Sequence, residues 1–235
     1  MSQNPALHLY IAYKNYSSWS LRPWLAMKVA GIPFNETLLP FYHDDSLKVF
    51  AQAHDVPACV PALAIPSLGQ KTTNEPHIIW DSMAIMEYLA EEYPEANLWP
   101  QETTLRALAR STAAELHSGF LNLRSEFPMN CRTQATVTPS DAAKKDLERL
   151  AALWERFAAH DGNKGQEFLC GHFTIVDAMY APVMWRVSGY NLHVSDRFEQ
   201  WSKAMKALPA MQEWLQAAQS EAWTIDQYDR VAESG

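Results

Sequence analysis

The sequence predicts an α/β domain followed by an all-helical domain. Three observations predict it. Short apolar runs alternate with helical patterns up to about residue 93. Every clear pattern after residue 102 has the helical period instead. Between them lies Pro94 to Pro100, a stretch with a proline at each end that reads as a linker. The expected division is residues 1–93, a linker over 94–101, and residues 102–235.

Leu7 to Tyr13 reads as the first strand. Leu21 to Ala30 is helical, with Gly31 as its stop and Pro33 beyond. Phe34 to Leu39 is the second strand, and Ser46 to Ala53 a short helix. Ala62 to Ile65 and Ile78 to Trp80 are strands, joined by the turn-rich Pro66-Ser67-Leu68-Gly69 and a polar stretch. A helix runs from Ser82 to about Tyr93. The order β-α-β-α-β-β-α is that of a thioredoxin-like domain. In the second half, Leu105 to about Phe127 reads as one long helix. Pro139 to about His160 follows, with an apolar face at Leu147, Leu150, Leu153, Trp154 and Phe157. Gly162 to Gly165 marks a break, and helices are expected over Thr174–Val187, over Arg197–Leu208 and from Pro209. The tail from Thr224 reads only as a flexible end.

Composition narrows the function. The chain has 235 residues, 48% apolar and 20% charged, which fits a folded globular protein. No apolar run approaches the ~20 residues of a membrane span, and no secretory leader pattern opens the chain. The net charge of −8 argues against nucleic acid and anionic membranes as partners. Cys59, Cys131 and Cys170 are too few and too scattered for a disulfide framework or a metal site, so no metal is expected and a reducing cytoplasm fits.

Three stations carry chemistry. The first is Asp81-Ser82, where a strand ends and a helix begins. The helix N–H groups and the Ser82 hydroxyl suit a carboxylate, and the Asp81 carboxylate suits an ammonium. A ligand bearing both on one carbon, a free α-amino acid group, would satisfy both; an ordinary capped helix is the competing reading. The second is Val60-Pro61, just before a strand, where a proline suits a strand start and pushes Val60 toward β geometry. The third is Asn15 to Arg22, between the first strand and first helix, which carries Ser17, Ser18 and Ser20 and no thiol. Disulfide exchange cannot run from this loop. A serine hydroxyl and a helix start can hold another molecule's thiolate. Lowering a thiol pKa of ~8.5 by ~2 units needs about 2.7 kcal/mol of preference for the anion, within reach of one charge-assisted hydrogen bond plus a helix terminus. Simple N-capping by Ser17 or Ser18 is the alternative.

Together these stations resemble the cytosolic glutathione transferase family across nearly the whole chain. The run Tyr16-Ser17-Ser18-Trp19-Ser20-Leu21-Arg22 is similar to serine-type members, the zeta class above all. Trp80-Asp81-Ser82-Met83-Ala84-Ile85-Met86-Glu87-Tyr88-Leu89 resembles the family's acid-Ser-x-Ala-Ile signature. Thr174-Ile175-Val176-Asp177 resembles its helical-domain capping box, a folding motif. The resemblance implies a homodimer with glutathione as cosubstrate and a small electrophilic substrate. It places Ser17 as the hydroxyl that activates the thiol, with Ser18 beside it. It places Val60 against the cysteinyl part, with Pro61 cis, and Asp81 and Ser82 at the γ-glutamyl end. The family often has a lysine or glutamine where this chain has Cys59, which weakens the expected hold on the glycyl carboxylate. The long helix would line the second-substrate pocket through His117, Phe120, Leu121 and Arg124, spaced i, i+3, i+4, i+7. Arg124 and Arg132 suit a carboxylate on that substrate, or surface ion pairs; His117 suits a satisfied polar group at a helix interface. The rivals to conjugation are a maleylacetoacetate-type isomerase and a non-catalytic ligand-binding module.

Overall fold

The computed structural model describes residues 7–40, 42–66, 76–160 and 166–233. The expected turn over 67–69 and the break over 162–165 lie outside the described residues. The first domain contains β1 (Leu7–Ile11), α1 (Ser18–Val29), β2 (Phe34–Leu38), α2 (Ser46–His54), β3 (Ala62–Ile65), β4 (His77–Trp80) and α3 (Ser82–Glu92). The sheet order is β2-β1-β3-β4. β1 runs parallel to β2, with Leu7 opposite Phe34, and antiparallel to β3, with Leu9 opposite Leu63. β3 pairs antiparallel with β4, Leu63 opposite Ile79. This is the thioredoxin-like arrangement the element order predicts.

The rest is helical: α4 (Thr103–Ser118), α5 (Leu121–Glu126), α6 (Asp141–Ala158), α7 (Ile175–Gly189), α8 (Asp196–Ala207), α9 (Pro209–Ser220) and α10 (Asp226–Glu233). A short 3-10 turn over Pro94–Ala96 opens the linker.

Two expectations are corrected. The long helix from Leu105 to Phe127 is two helices. Gly119 leaves α4 with extended backbone, and Phe120 takes a left-handed φ of 55° before α5 begins. A Cβ at residue 119 would lie 2.6 Å from the Glu115 carbonyl oxygen, so the bend needs glycine there. Helical period across a Gly-Phe pair did not reveal the break, because Phe120 and Leu123 stay apolar on its far side. The second correction is the tail, which forms α10 and packs Ile225 and Tyr228 against Tyr13 and Tyr16. Its polar composition hides that contact, which is made with residues some two hundred positions away.

α1 and α7 form the centre and pack on each other. Both are buried on nearly every side, as expected of helices without a polar face. One apolar core runs unbroken from Leu9 in the sheet through Trp24 and Met179 to Trp214 in α9. Trp24 and Trp214 meet edge to face at 5.0 Å. Lys14 lies over both rings and pairs with Glu36 at 2.6 Å. The loop that carries the serines is therefore clamped between the two halves.

Candidate functional site

A cavity of about 550 Å3 opens where the β1–α1 loop faces the helical domain. Ser17, Ser18 and Trp19 line it from the first domain. Leu121 and Arg124 of α5, Arg186 of α7 and Tyr228 of α10 line it from the second.

Ser17 is the N-cap of α1. Its Oγ accepts from the Ser20 N–H at 3.3 Å and shares a 2.8 Å hydrogen bond with the Ser20 hydroxyl. Ser20 Oγ in turn accepts from the Ala12 N–H at 3.0 Å. A hydroxyl rotates to suit its partners. The Ser17 hydroxyl donates to Ser20 Oγ; if the two hydroxyls rotate so that Ser20 donates to Ser17, the Ser17 proton turns toward the cavity and the Ala12–Ser20–Ser17 chain polarises it. Ser18 differs. Its Oγ accepts from Arg186 Nη2 at 2.9 Å, which leaves its own proton to donate.

Tyr16, next to Ser17, is committed elsewhere. Its hydroxyl donates to Asp229 at 2.9 Å and accepts from Arg132 Nη2 at 2.8 Å and from the Ile225 N–H at 3.3 Å. Burial, then the Asp229 hydrogen bond, raises its pKa. Tyr16 is thus no donor to a ligand in the cavity.

Asp81 caps α3, and here the geometry departs from the expected one. Its Oδ1 accepts from the Met83 N–H at 2.8 Å and the Ala84 N–H at 3.2 Å. The helix-start N–H groups that were read as open to a carboxylate therefore have a partner already. Oδ2 faces His117 Nε2 at 3.2 Å. Asp81 has a left-handed φ of 80°, a strained value for a residue with a side chain. Ser82 is fully buried, and its Oγ lies 3.4 Å from Arg22 Nη1. The Val60–Pro61 peptide is cis. Cys59 is partly buried; burial, then the Asp81 charge, pushes its thiol up, away from the reactive thiolate form.

The structure thus brings Ser17, Ser18, Leu121 and Arg124 to one cavity. Val60, Pro61, Asp81, Ser82, His117, Phe120 and Arg132 are not among its described lining residues. His117 bridges instead, edge-on to Trp19 at 5.3 Å and bonded to Asp81. Phe120 is buried edge to face with Tyr180. Arg132 holds the Glu221 and Trp223 carbonyls and stacks on Tyr16.

The residues that sequence reading passed over are Trp19, Arg22 and Arg186. The Trp19 ring has the guanidinium of Arg22 at 4.3 Å and that of Arg124 at 5.1 Å from its centre. Arg22 and Arg186 are both buried. Burial, then the other cations of the cluster, pushes Arg22 down to about 9; burial, then Arg124, pushes Arg186 down to about 10. Both stay charged at neutral pH. One signal was available: each sits within its helix among apolar neighbours, Leu21 and Trp24 for one and Trp185 and Val187 for the other, and a charge in such a run has a reason to be there. Among the described residues no group of three or more His, Cys, Asp or Glu side chains could hold a metal ion. No described helix is long and apolar enough to cross a membrane.

A thioredoxin-like sheet, a helical second domain and a hydroxyl-bearing helix start at their junction define the class: a thioredoxin-like fold joined to a helical domain, with serines and no cysteine at the first helix start. Residues 16–92 match the model of the glutathione S-transferase N-terminal domain, and residues 138–217 that of the C-terminal domain. The chain belongs to the glutathione S-transferase family. It is 28% identical over 143 residues to glutathione S-transferase GstB of Escherichia coli (strain K12), covering 57% of this chain and 65% of GstB. The match thus spans a little under two thirds of that relative. It is 28% identical over 199 residues to a probable maleylacetoacetate isomerase of Caenorhabditis elegans, covering 83% of this chain and 84% of that one. Among solved structures it is similar to maleylacetoacetate isomerase from Anaeromyxobacter dehalogenans, with TM-score 0.64 and 25% identity over 96% of this chain and 97% of that one. A glutathione transferase homolog from Burkholderia, solved with bound glutathione, shares the fold with TM-score 0.64 and 21% identity over 92% of this chain and 99% of that one.

Proposed function

We propose that this protein is a glutathione transferase that ionises the glutathione thiol beside Ser17 and adds it to a small electrophile in the cavity. The observation that carries this reading is the Ala12–Ser20–Ser17 hydrogen-bond chain at the start of α1, on the cavity wall. A thiolate there would accept the Ser17 proton and meet the positive end of α1. Val60 pairs through its backbone with the cysteinyl part. Asp81 takes the γ-glutamyl ammonium on Oδ2, the oxygen that now faces His117, and the ligand displaces that imidazole. The buried Ser82 acts through its backbone and its contact to Arg22. We also propose the homodimer that the resemblance implied and the cytoplasmic setting that the few, scattered cysteines suggested.

The test is a pH titration of thiolate absorbance on the glutathione complex of wild type, Ser17→Ala and Ser18→Ala. Wild type is expected to ionise the bound thiol about 2 units below free glutathione, and Ser17→Ala to return it close to the free value. Loss of the shift in Ser18→Ala alone would transfer the role to Ser18 and its Arg186 contact. Binding with no shift in wild type would leave a glutathione-binding module without activation.

A second reading is cis/trans isomerisation, in which glutathione adds to a double bond, permits rotation and leaves. It is supported by the similarity to maleylacetoacetate isomerases and by the arginines on the cavity wall. Glutathione is consumed in conjugation and conserved in isomerisation, so its stoichiometry separates the two.

A further inference from the structure

Asp81, the acid assigned to the γ-glutamyl ammonium, already has partners on both oxygens. Oδ1 closes the start of α3, and Oδ2 faces His117 Nε2 at 3.2 Å. The pair joins the two domains: Asp81 links β4 to α3, and His117 lies in the last turn of α4, just ahead of the bend at Gly119. An acid at this distance and the negative end of a helix both favour the charged imidazolium. The ring is nevertheless free to leave. Its side chain is 32% exposed, and its Nδ1 is buried without a hydrogen-bond partner. An imidazolium carries two N–H donors; one meets Asp81 and the other is unmet. The other charged groups around the pair are mostly cations. Arg22 of α1 feels the Asp81 charge, Arg124 of α5 donates to the His117 carbonyl at 3.5 Å, and Arg186 of α7 adds to the field of Arg124. Glu115, on α4 itself, is bonded to Arg149 of α6. The Cys59 thiol is pushed up by burial and then by Asp81, so it stays protonated. Asp81 is therefore the anion that keeps His117 charged. Once an incoming ammonium answers that anion, the imidazolium is left among cations.

We propose that His117 is an internal competitor for Asp81, and that glutathione enters by an exchange of cations coupled to proton release. The ligand's ammonium takes Asp81 Oδ2, the imidazolium leaves it, and His117 passes one proton to solvent. The inference rests on the glutathione reading of the site. It fixes the sign of a linkage. The free protein holds the His117 proton more tightly than the complex does. Affinity therefore rises with pH through the range in which an imidazole changes charge, about pH 5 to 8. His117 acts through Asp81 and touches no reacting atom, which makes it a positioning residue.

The probe is S-methylglutathione, which keeps the γ-glutamyl group and has no thiol to titrate. Its carboxylates stay ionised and its amine stays largely protonated between about pH 5.5 and 7. Calorimetric titration of wild type is expected to show binding that tightens about fivefold or more from pH 5.5 to 7. A released proton should appear as a dependence of the heat on the ionisation enthalpy of the buffer. His117→Gln donates to Asp81 without a charge. It should bind the probe several-fold more tightly than wild type at pH 5.5, and lose both the slope and the proton. His117→Ala should do the same. A slope with pH does not depend on the fraction of folded variant, and the other histidines are common to all three proteins. A flat wild-type profile, or a slope and proton release kept in both variants, would overturn the competitor. Affinity that falls as pH rises would mean that the imidazolium takes up the γ-glutamyl carboxylate, and would overturn it too. Flat binding leaves the glutathione reading standing, whereas no binding at any pH would sink that reading and the competitor together.

Discussion

Asp177 shows how much one side chain can settle. It is fully buried at the start of α7 and accepts four hydrogen bonds. They come from the Leu169 N–H at 3.1 Å, the Thr174 N–H at 2.9 Å, the Thr174 hydroxyl at 3.1 Å and Trp201 Nε1 at 2.8 Å. Burial raises its pKa, and the hydrogen bonds oppose that rise. The motif Thr174-x-x-Asp177 was legible in the sequence as a cap; the bonds to Leu169 and Trp201 were not. Replacing Asp177 with Ala orphans several buried donors at ~1–3 kcal/mol each. We expect Asp177→Ala to lose about 3–5 kcal/mol, and Asp177→Asn less, by urea denaturation. A loss below ~1 kcal/mol in the alanine variant would mean that those donors find water or relax. Ser17 and Ser18 make the same point at the site. Sequence marked both and put Ser17 first only through the family resemblance, because their difference lies in partners: Ser20 for one, and Arg186, 168 positions away, for the other.

At the scale of elements, the bend between α4 and α5 decides which residues reach the cavity. A straight helix would have set His117, Phe120, Leu121 and Arg124 on one face. The break at Gly119 instead sends Leu121 and Arg124 to the cavity, buries Phe120 and leaves His117 on Asp81. Gly119→Ala forces a Cβ to within 2.6 Å of a backbone oxygen. We expect it to cost about 1–3 kcal/mol, the range for overpacking, in chemical denaturation. If the variant is as stable as wild type or more so, the bend is held by packing around Phe120 and not by the missing Cβ.

At the scale of the whole molecule, the site loop is held from the far end of the chain. Glu221 accepts from the Lys14 and Asn15 N–H groups at 2.7 and 3.0 Å. Asn15 Nδ2 donates to Asn130 Oδ1 at 2.9 Å, and Asn130 Nδ2 donates to Asp229 Oδ1 at 2.8 Å. Asp229 also accepts from Tyr16, one residue before Ser17. α10 therefore fixes the loop that presents the serines as well as lining the cavity. Asp229→Ala removes the acceptor shared by Tyr16 and Asn130. We expect a loss of about 1–3 kcal/mol, which lowers Tm by a few degrees in a chain of this size, together with weaker glutathione binding by calorimetry. A variant that melts with wild type would show that α10 covers the cavity without bracing the loop.

Local sequence sufficed for the class of fold, the order of strands and helices in the first domain and the cap at Thr174. Each of these is local. Period, capping residue types and short motifs are written within a few neighbouring positions. Tertiary structure alone decided that Asp81 closes its own helix start, that Arg186 meets Ser18, that the long helix bends to admit Arg124 while Arg132 braces the tail, and that α10 forms at all. Those outcomes depend on which distant residues become neighbours, and the free energy that selects them comes from packing two domains over one core. An isolated stretch of sequence carries the potential for such a contact and not its partner.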